Sequence, residues 1–216
     1  MADWVTISSI ATASGTLVLA VATFSSTRSA NRAARVAERS FLAAQRPVLF
    51  PAHPDDPPQK VGFADQRWFV LRDGLGVVDV SGDAIYLAMP VRNPAAGIAV
   101  LHGWHLSPVR LLGRTEHPPL EDFRTLTRDI YIPSGELGFW QGAIRDRSDS
   151  LFVPVADAVA AAQAMTADIL YGDHEGAQRT ITRFGLTARV DQDTGAVTGW
   201  LASAARHWNL DRADPR

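Results

Sequence analysis

The sequence predicts a mainly β protein, an antiparallel β-sandwich that is preceded by one long N-terminal helix. Proline and glycine mark the division, because all 13 prolines lie at Pro47 or later and Gly15 is the only glycine before Gly62. Residues 1–46 are therefore free to form an unbroken helix that ends at Arg46-Pro47. From residue 47 onward, short apolar runs alternate with Gly, Pro and Asp turns at a spacing of about ten residues, which is typical of antiparallel sandwiches and barrels.

The N-terminal helix contains a segment suited to cross a membrane. Residues 4–27 carry no charged side chain, and about 20 residues at a rise of about 1.5 Å cover a hydrocarbon core about 30 Å thick. The frequent Ser and Thr hydroxyls can donate hydrogen bonds to carbonyls of the preceding turn, which makes them tolerable in lipid. We predict a transmembrane anchor at about residues 4–27, within an N-terminal region that comprises residues 1–46.

The charges around this segment predict its orientation. The start, Met-Ala-Asp-Trp, lacks the Lys or Arg that the first part of a secretory signal requires. The basic residues follow the apolar segment, against the single acid Glu38; they are Arg28, Arg32, Arg35, Arg39 and Arg46. By the positive-inside rule, the sequence predicts a single-pass protein of the cell membrane with its N-terminus outside and its C-terminal domain in the cytoplasm. A buried helix of a soluble protein and a cleaved signal peptide are the alternatives.

Two faces of the predicted helix suggest partners. Four arginines follow one another at steps of 4, 3 and 4 and so share one face, where they can contact anionic lipid or simply set the topology; they are Arg28, Arg32, Arg35 and Arg39. Small residues recur at helical spacing within the anchor, as in helices that pack closely in lipid; they are Ser8, Ala11, Thr12, Gly15 and Thr16. We expect membrane lipid as one partner and a protein partner or self-association as another, although the small face can also meet lipid alone.

The β-sandwich domain is predicted to comprise residues 47–216. Runs rich in β-branched and aromatic residues predict strands at residues 47–50, 68–71, 84–91, 98–106, 128–132, 137–144, 166–171, 180–188 and 200–208. Residues 52–60 and Gly74-Leu75-Gly76 are interpreted as turns. The alanine-rich residues 155–165 predict one short helix.

Composition narrows the function. The hydrophobic fraction of 46% suffices for a packed core, and a net charge of −2 gives no general field for nucleic acid. The absence of cysteine excludes disulfides, thiolate metal sites and a Cys nucleophile. There is no Gly-x-Ser-x-Gly elbow and no glycine-rich phosphate loop. The sequence therefore predicts no catalytic residue, no cofactor, no metal ion and no nucleic-acid partner.

One polar cluster lies at residues 173–179. Asp173, His174 and Glu175, together with Arg179 and the nearby Arg183, could form a metal or acid/base site if they converged. The same residues lie between two predicted strands, and Asp followed closely by Gly is ordinary hairpin-turn chemistry. We favour the turn and keep these residues as a weak candidate polar site.

Four segments carry a resemblance to a known class of proteins. They are the basic helix that runs into residues 45–49 (QRPVL), residues 91–104 (VRNPAAGIAVLHGW), residues 172–184 (GDHEGAQRTITRF) and residues 206–211 (RHWNLD). In these segments the chain resembles uncharacterised actinobacterial single-span membrane proteins that carry an immunoglobulin-like β-sandwich. The resemblance implies that fold and no particular activity.

Three functions stay open at this point. The leading hypothesis is a membrane-tethered, non-enzymatic interaction or accessory domain, because the anchor is distinct and catalytic motifs are missing. The second is an enzyme of unrecognised type that is centred on Asp173, His174 and Glu175. The third is a subunit of a larger membrane complex, in which the small-residue face would be a helix–helix contact.

Overall fold

The computed structural model describes residues 3–111 and 115–212, apart from the side chains of Val5 and Thr6. The protein is mainly β and begins with one long helix, which confirms the predicted fold class. The α-helices in the described residues are α1 (Trp4–Ala44) and α2 (Phe152–Ala160), and a 3₁₀ turn lies at Leu120–Asp122. The strands are β1 (Phe50–Pro51), β2 (Gln59–Gly62), β3 (Trp68–Leu71), β4 (Leu75–Ser81), β5 (Ala84–Arg92), β6 (Ala99–Ser107), β7 (Arg124–Ile132), β8 (Leu137–Ile144), β9 (Met165–Gly172), β10 (Arg179–Val190) and β11 (Val197–Asn209).

The chain divides into two compact units, one up to Ala44 and the other from Gln45 onward. The first unit is α1, whose 41 residues contain no proline and extend about 60 Å at a rise of about 1.5 Å each. Its N-terminal part is long and apolar enough to span a membrane, with a mean hydropathy of 1.7.

The second unit is built on one curled antiparallel sheet. Its strand order is β1-β5-β4-β11-β10-β9-β6-β7, and β8 pairs with the other edge of β5. β2 and β3 form a separate hairpin. Side chains of β5 and β8 pack against those of β6, β9, β10 and β11 in a common core. This arrangement is compatible with a sandwich, and the immunoglobulin-like assignment stays a prediction.

Two clusters of apolar side chains fill this unit. The larger cluster contains Trp104, Trp140 and Trp200, and α2 covers one part of it through Phe152 and Val155. The smaller cluster lies under the β2–β3 hairpin; its buried members are Val61, Phe63, Leu71, Tyr86 and Ala88. The hairpin is thereby fixed against β5 and β8, on the face opposite to the larger cluster.

Asn93 fastens the loop between β5 and β6 to two other parts of the domain. Its fully buried side chain donates hydrogen bonds from Nδ2 to the carbonyls of Gly97 (2.6 Å) and Ile132 (3.1 Å). Its Oδ1 accepts a hydrogen bond from the amide of Val48 (3.4 Å). A Cβ added at Gly97 would lie 1.7 Å from the carbonyl oxygen of Gln45, so only glycine fits there. Residues 93–97 thus hold the β5–β6 loop, the start of the β domain near Val48 and the end of β7 together.

Replacing Asn93 with Ala is expected to lower the free energy of unfolding by about 2–4 kcal/mol. The substitution leaves the buried carbonyls of Gly97 and Ile132 without their donor, and each lost partner costs about 1–3 kcal/mol. Urea denaturation of the full chain in mild detergent, followed by tryptophan fluorescence, measures the change. Asn31→Ala, on the exposed surface of α1, is the matched control. Equal midpoints for the two variants would contradict this role of Asn93.

Two predicted turns proved to be partly strand. The last residues of the predicted 52–60 turn begin β2, because Gln59 pairs with Leu71. The predicted turn at Gly74-Leu75-Gly76 is shorter than expected, since the reversal is made by Asp73 and Gly74, both at positive φ (54° and 67°). β4 then begins at Leu75. In both places, neighbouring proline, aspartate and glycine residues obscured the alternation of apolar and polar residues that predicts a strand.

The predicted strand 47–50 and the predicted helix 155–165 are both displaced. Only Phe50 and Pro51 pair with β5, because the amide of Leu49 donates to the hydroxyl of Tyr171 (3.1 Å) instead of to a neighbouring strand. The helix begins three residues early, at Phe152, and ends at Ala160. Ala162 has a φ of 50°, which stops the helix before the predicted end.

Candidate functional site

The β domain contains a cleft between β7 and β8. A turn at residues 133–136 joins these strands, and Gly135 supplies its positive φ of 74°. Beyond the turn the strands diverge, because β7 pairs with β6 while β8 pairs with β5. Two adjoining cavities of ≈ 250 and ≈ 540 Å³ fill the space and share four wall residues, Phe63, Ala64, Thr127 and Gln141. We call this space the β7–β8 cleft.

Four basic residues and no acidic residue line the β7–β8 cleft; they are Lys60, Arg124, Arg128 and Arg145. Two of them are paired with acids that do not line the cleft. Arg124 donates two hydrogen bonds to Asp149 (2.6 and 2.8 Å), and Arg145 lies 3.3 Å from Asp65. Within the described part of the chain, Lys60 and Arg128 form no ion pair. On a chain with a net charge of −2, this cleft is therefore a local site of positive potential.

Asp149 and Asp65, the two acids paired with these arginines, are held in their ionised form. The hydrogen bonds from Arg124 lower the pKa of Asp149 below its ordinary value. The hydrogen bond from the hydroxyl of Tyr86 lowers the pKa of Asp65, and the same bond raises the pKa of Tyr86. The ion pairs Arg124–Asp149 and Arg145–Asp65 therefore persist at neutral pH. Lys60 and Arg128, which have no such partner among the described residues, can then pair with a ligand.

Gln141 is a buried amide in the wall of the cleft. On β8 it lies between Phe139 and Ala143, two apolar residues that pack against the β2–β3 hairpin. Its side chain is 7% exposed, and its Oε1 has no hydrogen-bond partner among the described residues. An amide in such a position costs stability, since a hydrophobic residue would pack there without loss of hydrogen bonds.

The β7 wall has an irregular backbone. The register with β6 runs from Ile130 opposite Leu101 to Thr125 opposite Gly103, so that residues 126–129 have no ladder partner in β6. Residues 127–129 are exposed, while Leu126 packs against the core. Backbone groups of this strand are thus available to an incoming chain.

The residues singled out in the β9–β10 turn do not converge. Asp173 is buried, and its Oδ1 accepts hydrogen bonds from the amides of Ala177 (2.8 Å) and Gln178 (3.2 Å), which is how a turn is closed. His174, Glu175 and Arg179 are exposed. Throughout residues 3–111 and 115–212, no group of three or more acidic or histidine side chains could hold a metal ion. The weak polar site at Asp173 stays a prediction.

The predicted lipid-contacting and helix-packing residues all lie exposed on α1. They are Arg28, Arg32, Arg35, Arg39, Ser8, Ala11, Thr12, Gly15 and Thr16. The hydroxyls of Thr12 and Thr16 donate to the carbonyls of Ser8 and Thr12, each at 2.9 Å, which satisfies them within the helix. Arg46 differs from the other basic residues, since it is buried and pairs with Asp211 at 2.5 Å. The basic face of α1 therefore consists of four arginines.

A buried ion pair was missed by the sequence analysis. Arg183 and Asp168 are fully buried and bonded through two contacts of 2.8 and 2.9 Å. Arg183 also donates to the carbonyls of Thr115 and Glu116, and its guanidinium lies 4.9 Å from the ring centre of Trp208. The pair thus fastens the loop after β6 to β9 and β10. Cross-strand register in the β9–β10 hairpin was the signal that could have revealed it.

His105 lies beside this ion pair. It stands opposite Asp168 in the β6–β9 ladder, and its Nδ1 has no partner among the described residues. Burial lowers the pKa of His105 below its ordinary value; the charges of Asp168 and Asp122 oppose this shift, and those of Arg183 and Arg124 add to it. The folded domain therefore holds His105 neutral to a lower pH than the unfolded chain does.

We expect the domain to lose stability as the pH falls from 7.5 to 5.5. Because the folded pKa of His105 lies below the unfolded value of 6.5, the unfolded chain binds more protons in this range, and acid favours it. The shifted aspartates titrate below this range. The melting temperature of the full chain should drop by a few degrees, and His105→Phe should reduce the drop. His53→Phe, at an exposed position, is the control; an unchanged drop in His105→Phe would refute the assignment.

The fold and the cleft define a β domain with a basic, partly apolar groove, which follows a helix that is long and apolar enough to span a membrane. Comparisons with protein-family models, with curated proteins and with solved structures find no match to this chain.

Proposed function

We propose that this chain is a single-pass protein of the cell membrane, whose β domain is a non-enzymatic interaction or accessory domain in the cytoplasm. The N-terminus would lie outside, and α1 would carry the chain through the bilayer into the domain. The resemblance to actinobacterial single-span proteins points to the same architecture.

The apolar and exposed surface of α1 carries this proposal. Leu17, Leu19 and Phe24 are 67%, 69% and 69% exposed, and none of the most apolar stretch of the helix is buried. A core helix of a soluble protein would be covered by its own domain, so these side chains need another apolar environment. The four arginines that follow support the cytoplasmic side for the domain, because basic residues are retained there.

The chemistry of the β7–β8 cleft supports binding as the activity of the domain. Its walls offer cations, an amide and the aromatic ring of Trp68, which are groups that hold a partner by charge, hydrogen bonds and contact area. Trp68 is 60% exposed, and the Nζ of Lys60 lies 4.8 Å from its ring centre. An aromatic ring beside a free cation is a common contact in protein interfaces.

Crosslinking in the native host tests this function. The full chain with a C-terminal affinity tag is crosslinked in living cells, extracted in detergent and purified. We expect a discrete crosslinked protein of constant size that is lost when the crosslinker is omitted. An otherwise identical chain with Asn93→Ala, which weakens the fold, serves as the control for folded-state contacts. Recovery of the uncrosslinked chain alone would contradict the proposal.

A role as a subunit of a larger membrane complex is the second candidate. It is favoured by the exposed face of small residues on α1 that includes Gly15, because small side chains let helices approach closely in lipid. Gly15→Leu should dissociate such an assembly, whereas Leu17→Ala, which only shortens a side chain, should not. Unchanged migration of Gly15→Leu in mild detergent would count against a seam at this face.

A further inference from the structure

We propose that the β7–β8 cleft binds an extended acidic peptide segment of a protein partner, which adds as a strand to the free edge of β7. The inference rests on the proposed function as an interaction domain and names the chemistry of its partner. Edge geometry, charge and a buried amide each support it through different residues.

The first support is the geometry of the two edge strands. In the described part of the sheet, β7 pairs with β6 alone and β8 with β5 alone, so each strand has one edge directed to the cleft. Residues 126–129 also lack ladder partners in β6. An extended segment satisfies the backbone groups on the cleft side of β7 through main-chain hydrogen bonds, as in strand addition to a sheet edge.

The second support is charge. Lys60 on β2 and Arg128 on β7 both line the larger cavity, and the cleft has no acidic lining residue. The acids nearest in contact, Asp149 and Asp65, are occupied by Arg124 and Arg145. An entering carboxylate therefore meets free cations without displacing an internal partner. A basic peptide would be repelled by the same residues.

The third support is Gln141. A buried amide whose Oε1 has no partner among the described residues, on an apolar face of β8, is unfavourable for the unliganded domain. The same amide lines both cavities and can bond to the backbone of a bound segment. We therefore infer that Gln141 serves ligand binding and lowers the stability of the unliganded domain.

The exposed ring of Trp68 and the partly buried Leu126 can bind apolar residues of the peptide. Side chains along an extended peptide alternate in direction, so acidic residues can face the cations while apolar residues contact these two groups. The partner segment is thus expected to alternate acidic and apolar residues over the length of a short strand.

Selection from a randomised decapeptide library on the full chain in nanodiscs tests this proposal. We expect enrichment of sequences in which Asp or Glu alternates with apolar residues. A selected peptide should bind at least tenfold more weakly at high salt, and so should a version with one central proline, which removes a main-chain donor. Enrichment of basic or uncharged sequences, or tolerance of the proline, would overturn the proposal.

Cleft variants locate the binding site. Lys60→Glu with Arg128→Glu should reduce affinity for the selected peptide at least tenfold, whereas Arg72→Glu with Arg189→Glu, two exposed arginines outside the cleft, should leave it unchanged. Gln141→Leu should raise the melting temperature and lower the affinity together, a combination that a purely structural residue would not give. Equal losses in both charge-reversed proteins would refute the cleft as the site.

Small anions provide the last comparison. Inorganic phosphate or free glutamate that competes as well as the peptide would reassign the cleft to a small anion and overturn strand addition. A chain that captures a host protein by crosslinking but selects no acidic peptide would leave the interaction function in place and refute this cleft as its site.

Discussion

Arginine in place of both Leu17 and Val18 is expected to remove the protein from the membrane fraction. Both residues are 67% exposed near the middle of the uncharged segment. Each arginine at the centre of a spanning helix costs about 2.5–3.5 kcal/mol, and the lost Leu and Val contributions add a few tenths each. The combined penalty of roughly 6–8 kcal/mol exceeds what a moderately apolar span with many hydroxyls can offset.

A matched control separates the span from charge in general. Val36→Arg with Phe41→Arg adds the same charge to exposed positions of the same helix, beyond the segment without charges. This variant should stay in the membrane pellet after an alkaline wash, while the Leu17/Val18 variant should appear in the supernatant. Identical distribution of the two variants would mean that α1 does not insert where the hydropathy places it.

Loss of the Arg183 guanidinium is expected to have the largest effect on the stability of the β domain. Arg183→Met leaves the fully buried Asp168 without its partner and frees the loop carbonyls of Thr115 and Glu116. Removing one member of a buried ion pair costs about 3–5 kcal/mol, because the remaining charge is uncompensated. Urea denaturation of the full chain in mild detergent measures this loss.

The double variant Asp168→Leu with Arg183→Met tests the cause. Replacing both charges with apolar side chains removes the uncompensated charge, so most of the lost stability should return. Arg147→Met is the matched control, since it breaks the exposed pair with Asp83 and should cost less than about 1 kcal/mol. A double variant that is as unstable as the single one would show that the loop contacts, not the charge, dominate.

The long helix and most strands could be predicted because their signals are local. Proline and glycine are almost absent before Pro47, and they punctuate the strands thereafter. β2 and β4 were missed since their short apolar runs lie beside Pro57, Pro58 and Gly74, whose turn chemistry dominated the interpretation. In the structure, β2 exists because it pairs with β3 and covers Tyr86, which is a tertiary reason that no local pattern shows.

The β7–β8 cleft could not be predicted because it depends on which strands do not pair. The turn at residues 133–136 resembles an ordinary hairpin turn, yet β7 and β8 pair with different neighbours. Lys60 and Arg128 meet at the cleft from distant parts of the sequence. Gln141 reads as one polar residue in an apolar strand, and its significance follows only from the hairpin that buries it.

The Asp168–Arg183 ion pair could have been predicted from the sequence. The predicted strands 166–171 and 180–188 flank one turn, and the register that pairs Gly172 with Arg179 places Asp168 opposite Arg183. An acid opposite an arginine on a common face is a recognisable cross-strand pair. The sequence interpretation instead placed Arg183 with the polar residues near the β9–β10 turn, where the structure shows Asp173 bonded to backbone amides.

Membrane sidedness of the full chain tests the central claim most directly. The chain is tagged at its C-terminus, expressed in its host, fractionated with an alkaline wash and, in a parallel sample, treated with protease as intact spheroplasts. We predict that the tag remains in the membrane pellet and is protected from protease until the cells are lysed. A tag that is digested in intact spheroplasts would place the β domain outside, and a tag in the soluble fraction would show that α1 is not an anchor.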